Sequence, residues 1–75
     1  MKIEDRIQFD PAILAGKPTI RGMRISVEQL LRALAKGVSM EAILDDYPVL
    51  EREDIQACLT YAANLVEKEK VYAMA

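Results

Sequence analysis

Few residues of this 75-residue sequence are suited to chemistry near neutral pH. There is no histidine, so the usual general base and the commonest metal ligand are both missing. The single cysteine, Cys58, can form neither an internal disulfide nor a zinc site built from several thiolates. The composition therefore predicts a protein that is not an enzyme and that takes no cofactor and no small-molecule substrate.

Two acidic pairs, Asp45–Asp46 and Glu53–Asp54, are the remaining candidates for a cation site. Adjacent residues on a helix point in different directions, so neither pair can close on one ion, and we expect no metal. Cys58 lies among regularly spaced apolar residues, which favours a small core residue over a reactive thiol. What remains is a protein that acts by binding.

Basic residues are concentrated in the first half of the chain. Residues 1–37 carry seven basic and four acidic side chains, whereas residues 38–75 carry three and eight. The basic residues of the first half predict a surface for DNA phosphate or for an acidic partner, formed by Lys17, Arg21, Arg24, Arg32 and Lys36. The alternative is that the arginines pair with carboxylates such as Glu28, or that they belong to a solvated helix face. The net charge of −2 excludes a generic polyanion binder.

The basic residues must be positioned by two kinds of element, the first of which is a β arm over residues 1–25. Polar and apolar residues alternate over residues 6–10, which predicts a short strand with Ile7 and Phe9 facing inwards. Residues 10–16 begin with an aspartate–proline pair and end with glycine, as is typical of a one-turn helix. A tight hairpin should follow and turn near Gly22.

Residues 26–75 are expected to form three amphipathic helices. Their apolar residues recur at spacings of three and four, and the predicted buried positions are Val27, Leu30, Leu31, Leu34, Ala35 and Val38, then Met40, Ile43, Leu44 and Tyr47, then Ile55, Cys58, Leu59, Ala62, Ala63 and Val66. Ser26 and Ser39 should cap the first two helices, with the Gln29 side chain returning to the Ser26 amide. The third helix should start near Glu51 or Arg52, after a loop in which Val49 and Leu50 are buried.

A single domain of this length buries only a marginal core, so we expect part of its apolar surface to be shared with another chain. The predicted assembly is a homodimer in which the N-terminal strand or hairpin pairs with its symmetry mate. The predicted interface residues are Ile7, Phe9, Val71, Tyr72 and Met74. No apolar run approaches the ~18 residues of a membrane span, and no signal peptide follows Met1, so a cytoplasmic location is expected.

Several segments, taken in order, resemble one protein family. They are Gly16-Lys17-Pro18, Ile20-Arg21-Gly22-Met23-Arg24-Ile25, Gly37-Val38-Ser39 and Asp45-Asp46-Tyr47-Pro48-Val49-Leu50. Together they are similar to domain-of-unknown-function family 433, and the likeness covers roughly residues 7–63. The chain departs from the family pattern at Met23, where threonine is usual, and at Glu51, where threonine or serine is usual.

The resemblance implies a mainly α fold: a homeodomain-like three-helix helix-turn-helix bundle with a short N-terminal β arm. It also implies a VapB-type antitoxin that binds a PIN-like ribonuclease toxin and its operator DNA. The alternative is a stand-alone helix-turn-helix transcriptional regulator. By analogy with such antitoxins, Arg21, Arg24 or a C-terminal lysine would enter the carboxylate cluster of the toxin. The acids at the start of the third helix argue against base reading by that helix.

Overall fold

The structure is a computed structural model that describes residues 2–73, except for the side chains of Glu4 and of residues 69–73. The described residues are mainly helical and contain three α-helices, as the sequence predicts, together with a two-stranded antiparallel sheet. The strands are β1 (Ile7–Phe9) and β2 (Pro18–Ile20), and the helices are α1 (Val27–Ala35), α2 (Met40–Asp46) and α3 (Arg52–Ala73). In the described part of the chain, no helix is long and apolar enough to cross a membrane.

The two strands pair with each other, with Ile7 opposite Ile20. A hairpin turning near Gly22 was expected, but the turn there leads only to a single bridge between Thr19 and Ser26. The reason is that α1 begins at the very next residue, so the chain has no room for another strand. The turn itself needs glycine, since Gly22 has a φ of +75° and an added Cβ would lie 3.1 Å from a side-chain oxygen of Gln8.

Residues 10–16 do not form the expected helical turn of α type. The Asp10 carboxylate accepts a hydrogen bond from the Ala12 amide at 2.9 Å, which makes a side-chain-closed turn instead of a helix cap. Leu14 and Ala15 have φ values of 49° and 56°, in the left-handed region, so a right-handed helix cannot continue through them. A short 3-10 turn over Leu14–Gly16 leads into β2.

Serine side chains begin the first two helices, as predicted. The Ser26 hydroxyl accepts a hydrogen bond from the Gln29 amide at 2.9 Å, and Ser39 caps α2 in the same way. The reciprocal half of the predicted capping box is wrong, because Gln29 Nε2 donates to the Tyr47 hydroxyl at 2.6 Å. The Gln29 side chain therefore links α1 to the end of α2.

The core lies where the sheet and the three helices meet. Its most buried large side chains are Ile20, Val27, Leu30, Ile43 and Ile55. Ile7 is also buried, but the prediction for Phe9 is wrong: its side chain is 58% exposed, and its ring packs against Tyr61 with centroids 6.1 Å apart. Phe9 pairs with Pro18 at the end of the short sheet, outside the core cluster.

The apolar stripe predicted for α3 is buried only over its first turns. Ile55 and Cys58 are fully buried, whereas Leu59 is 44% exposed and Val66 is 62% exposed. α3 has 22 residues and is about 33 Å long, while α1 and α2 have nine and seven residues. Two short helices cannot cover one long helix, which also explains why Ala63 is exposed.

The ends of the other predicted stripes and the following loop show smaller differences of the same kind. Ala35 and Val38, at the end of the α1 stripe, are exposed. In the loop between α2 and α3, Leu50 is buried as predicted, but Val49 is 58% exposed. In both places, the apolar residues of the sequence continue slightly beyond the part of the chain that neighbouring elements cover.

Candidate binding surface

Arg21, one of the predicted binding residues, is committed to an ion pair inside the fold. Its partner is Asp54, in the first turn of α3, whose side chain has no exposed surface. Four hydrogen bonds reach this carboxylate: Arg6 Nη1 at 2.8 Å, Arg21 Nε at 3.1 Å, Arg21 Nη2 at 2.9 Å and the Glu51 amide at 2.8 Å. The Asp54 cluster, formed by these four residues, therefore ties the β arm to the start of α3.

The backbone conformation of Arg21 suits this internal role. Its φ of 48° lies in the left-handed region, which costs an arginine roughly 1–2 kcal/mol. The guanidinium contacts offset that cost, since Arg21 Nη2 also donates to the Val49 carbonyl at 2.6 Å. The alternative expectation, that arginines pair with carboxylates, thus describes Arg21, although its partner is Asp54 and not Glu28.

The charges of the Asp54 cluster stabilise one another. Burial by itself raises the pKa of Asp54, but the hydrogen bonds from the Glu51 amide, Arg6 and Arg21 outweigh it, so the pKa lies below its ordinary value. The pKa of Arg6 is raised by its hydrogen bonds to Glu51 and Asp54. Asp54 is therefore a carboxylate at neutral pH, in a site with no unsatisfied polar group among its described atoms.

Lys17 and Arg32 share a single carboxylate on α1. Lys17 Nζ lies 3.3 Å from Glu28 Oε1, and Arg32 Nε lies 2.9 Å from Glu28 Oε2. These hydrogen bonds, chiefly that from Arg32, lower the pKa of Glu28. Both cations are well exposed, with 61% and 73% of their side-chain surface accessible. Together the three side chains carry one net positive charge.

The two remaining predicted basic residues lie apart from these clusters. Arg24 is exposed on the turn after Gly22, and Lys36 follows the last residue of α1. Among the side chains that the structure describes, no ion pair involves Arg24 or Lys36. The five predicted residues are thus divided: Arg21 packs on α3, while Lys17 and Arg32 flank Glu28.

A groove between α1, β2 and α3 is a feature that the sequence reasoning missed. It has a volume of about 500 Å³ and is open to solvent, and its apolar lining is Pro18, Val27, Leu31, Ala35, Tyr61 and Leu65. Lys17, Glu28 and Arg32 form its rim. The available signal was the four-residue spacing of Tyr61 and Leu65, which continues the buried face of α3 beyond the core. We call this feature the α1–α3 groove.

The predicted interface residues fall in several environments. Ile7 is 5% exposed and packs in the core, so it is not displayed to a partner, whereas Phe9 is exposed. Val71 and Tyr72 belong to α3, but their side chains lie outside the described part, as does Met74 altogether.

Cys58 is a fully buried residue of α3, as the sequence predicts. Desolvation and the nearby charge of Asp54 raise the pKa of its thiol to about 12, so the nucleophilic thiolate is scarcely populated at neutral pH. Within the described residues, no group of three acidic, cysteine or histidine side chains is placed to hold a metal ion. The features that the site offers are thus a groove and its charged rim.

Comparison with known proteins agrees with the resemblance seen in the sequence. Residues 7–62 match the family model described as "Protein of unknown function (DUF433)". The chain belongs to the DUF433 family. It is 38% identical over 56 residues to the uncharacterized protein y4eO of Sinorhizobium fredii; the match covers 75% of this chain and 25% of y4eO. The chain therefore spans about a quarter of the length of that relative.

A solved structure supports the fold of this DUF433 protein. The crystal structure of a DUF433 member from Anabaena variabilis superposes with a TM-score of 0.78 at 27% sequence identity. The match covers 97% of this chain and 72% of that one. The arrangement of arm and helices described above is thus shared with another member of the family.

Proposed function

We propose that this DUF433 protein is the antitoxin component of a type II toxin–antitoxin pair, and that it binds a PIN-like ribonuclease through the α1–α3 groove. The observation that carries the proposal is the groove itself, an apolar cleft of about 500 Å³ with cations on its rim. We further propose that the three helices form a homeodomain-like helix-turn-helix bundle. The contact between α2 and α3 across the short connection at 47–51 supports that arrangement, although five residues exceed the roughly three or four typical of the motif.

The groove lining favours a protein partner over a small ligand. Small-molecule sites combine apolar walls with several convergent polar groups that orient the ligand. Here the walls are aliphatic and aromatic, and the charged groups are confined to the rim. An apolar side chain or two from a partner, seated on Leu31 and Leu65, would bury surface that this chain leaves exposed.

The rim favours an acidic partner. Lys17 and Arg32 share one carboxylate, which leaves one net positive charge, and Lys36 lies one helical turn beyond Arg32. PIN-type nucleases hold their catalytic metal with a cluster of carboxylates, which gives them the complementary charge. Complementary charges of this kind speed association and fix the orientation of the partner more than they add affinity.

DNA is the less favoured partner. Helix-turn-helix proteins place the start of the second motif helix against base edges, and here that position carries the exposed acids Glu51 and Glu53. Arg52, the basic residue between these two acids, lies 3.5 Å from Glu41, and Arg21 is paired with Asp54. A stand-alone DNA-binding regulator would have to rely on cations scattered over several elements, such as Arg24 and Lys36.

Co-expression and co-purification with a PIN-like ribonuclease from a neighbouring gene test the proposal. We expect a stable complex with the wild-type protein and its loss for Ala35→Glu, which puts a charge into the groove. Asn64→Glu is the matched control, because Asn64 is also an exposed helical residue but does not line the groove. Failure of the wild-type chain to bind at micromolar concentration would overturn the proposal.

An electrophoretic shift assay on the promoter region separates the regulator from the antitoxin. A regulator would give a shift without the toxin, with an affinity that falls steeply as salt concentration rises. Such a shift, weakened by Arg24→Ala and Lys36→Ala, together with no toxin binding, would favour the DNA-binding function instead.

A further inference from the structure

The second half of α3 carries an exposed apolar face that is separate from the groove. Leu59, Ala63 and Val66 follow one another at spacings of four and three residues, so they lie along one side of the helix, and all three are exposed. Residues 55–66 are twelve consecutive positions without a charged side chain. We call Leu59, Ala63 and Val66 the outer face of α3.

The size of the exposed surface points to a partner of moderate footprint. A compact chain of 8.4 kDa would expose roughly 4600 Å². This protein exposes 5215 Å², so roughly 600 Å² more than expected is accessible. A standard interface removes about 800 Å² from each partner, so the excess, which is summed over the whole chain and includes the α1–α3 groove, corresponds to about one interface.

We propose that the outer face of α3 is covered by the same face of a second copy, in an antiparallel pair of helices whose two-fold axis passes close to Ala63. In such a symmetric contact every pair of residues occurs twice, so Leu59 packs near Val66 of the partner subunit and Val66 packs near the partner's Leu59. The small side chain at the axis lets the helix backbones approach closely. The proposal goes beyond the antitoxin function and does not depend on it.

The charge pattern favours self-association at this face. In a two-fold contact, a charged residue near the axis would meet a like charge on the second copy. The outer face avoids this, because the charged residues of α3 lie before residue 55 and after residue 66. The net charge of −2 per chain adds little repulsion between the copies.

The β arm offers a weaker alternative for the same assembly. β1 has three residues and already pairs with β2 along one edge, so an arm-to-arm contact would gain few hydrogen bonds. Of its two apolar residues, Ile7 is used in the core and Phe9, although 58% exposed, packs against Tyr61 of the same chain. We therefore place the dimer contact on α3 and not on the arm.

A cysteine substitution at the proposed axis tests the geometry. In the pair described, residue 63 of one chain lies next to residue 63 of the other, within the roughly 7 Å between Cα atoms that a disulfide allows. Ala63→Cys should therefore form a covalent dimer on mild oxidation. Asn64→Cys is the matched control, since it is equally exposed but points about 100° away around the helix.

Three outcomes of the crosslinking experiment decide the matter. Preferential crosslinking of Ala63→Cys, with the wild type and Asn64→Cys remaining monomeric under denaturing conditions, supports the proposal. Equal crosslinking at both positions indicates random collision and overturns it. Crosslinking of Gln8→Cys in β1, with none at Ala63→Cys, would move the contact to the arm and also overturns it.

Mass measurement by light scattering supplies an independent test. We expect the wild-type protein to show twice the 8.4 kDa chain mass at high micromolar concentration. Ala63→Glu should be monomeric yet keep its circular dichroism spectrum, and Ala35→Glu should remain dimeric. The reverse assignment, with only the groove variant monomeric, would contradict the proposed face, and a monomeric wild type would exclude the dimer.

Discussion

The two ends of α3 differ in how the rest of the chain contacts them. At its start, Asp54 is fully buried and receives hydrogen bonds from Arg6, Arg21 and the Glu51 amide. Twelve residues later Val66 is 62% exposed. The first turn therefore holds the arm and the helices together, whereas the distal half is presented to the surroundings.

This contrast reverses what residue type alone suggests. A charged residue such as Arg21 is normally assigned to the surface, and an apolar residue such as Leu59 to the core. In this protein the arginine, 35% of whose side-chain surface is accessible, is bound to a fully buried carboxylate, and the leucine is 44% exposed. Binding is thus to be sought on apolar surfaces, with the charged rim of the groove in a supporting role.

The largest effect is expected from removing the buried carboxylate. Asp54→Ala removes the acceptor that Arg6, Arg21 and the Glu51 amide share, and we expect a loss of about 3 kcal/mol in the free energy of unfolding. Arg6 keeps its hydrogen bond to the Glu51 carboxylate, and Arg21 keeps its hydrogen bond to the Val49 carbonyl. The value lies at the low end for breaking a buried pair, because both arginines retain some access to water. Urea unfolding followed by circular dichroism measures it.

Glu53→Ala is the control for this prediction. Glu53 lies in the same helical turn but is exposed, so its removal should change the free energy of unfolding by less than about 0.5 kcal/mol. Equal losses for the two variants would mean that the first turn is stabilised by its helix-dipole charges and not by the Asp54 cluster.

A smaller loss is expected when one of the two arginines is removed. Arg21→Ala eliminates two hydrogen bonds to Asp54 and one to the Val49 carbonyl, while Arg6 still neutralises the carboxylate. We expect a destabilisation of about 1.5–3 kcal/mol by urea unfolding. Arg24→Ala, on the exposed turn, should have almost no effect on stability. Equal losses of stability for the two substitutions would mean that the contacts of Arg21 with Asp54 and Val49 do not stabilise the fold.

Much of the fold could be predicted from local signals in the sequence. Ser26 and Ser39 begin α1 and α2 because their hydroxyls satisfy free amides, and this chemistry depends only on nearby residues. The burial of Cys58 follows from its place in a helical repeat. The β1–β2 pairing was missed because strand partners are chosen by tertiary packing, which a local turn signal at Gly22 does not reveal.

The binding surfaces were harder to predict, for a physical reason. An apolar stripe shows that a helix has one apolar face, but the lengths and crossing angles of the neighbouring helices decide how much of that face is buried. Leu59 and Val66 were assigned to the core on periodicity alone. Likewise, the sequence offered Glu28 as an arginine partner, but the Arg21–Asp54 contact, between residues 33 positions apart, required the fold.

The dependence of stability on pH distinguishes the role of the Asp54 charge from that of its shape. Because the pKa of Asp54 is lower in the folded than in the unfolded protein, its contribution is complete above the unfolded pKa of about 3.9 and is lost as pH falls through the folded value. The difference in stability between wild type and Asp54→Asn should stay constant from about pH 7 to pH 5 and shrink below about pH 4. Urea midpoints at several pH values measure it; a constant difference down to about pH 2 would contradict an ionic role.

The smallest effect is expected at the distal end of the helix, where its size depends on protein concentration. Val66→Ala removes two carbons from a side chain that is 62% exposed, so in the monomer it should cost less than about 0.5 kcal/mol. Ile55→Val removes only one carbon but from a fully buried side chain, and should cost about 0.5–1.5 kcal/mol.

If a second copy covers the outer face of α3, the Val66→Ala effect should grow as protein concentration rises, because association stabilises the folded state by mass action. The Ile55→Val effect should not change with concentration. Thermal unfolding at low and high micromolar concentration compares the two variants. A Val66→Ala effect that does not change with concentration would mean that no second copy covers the outer face of α3.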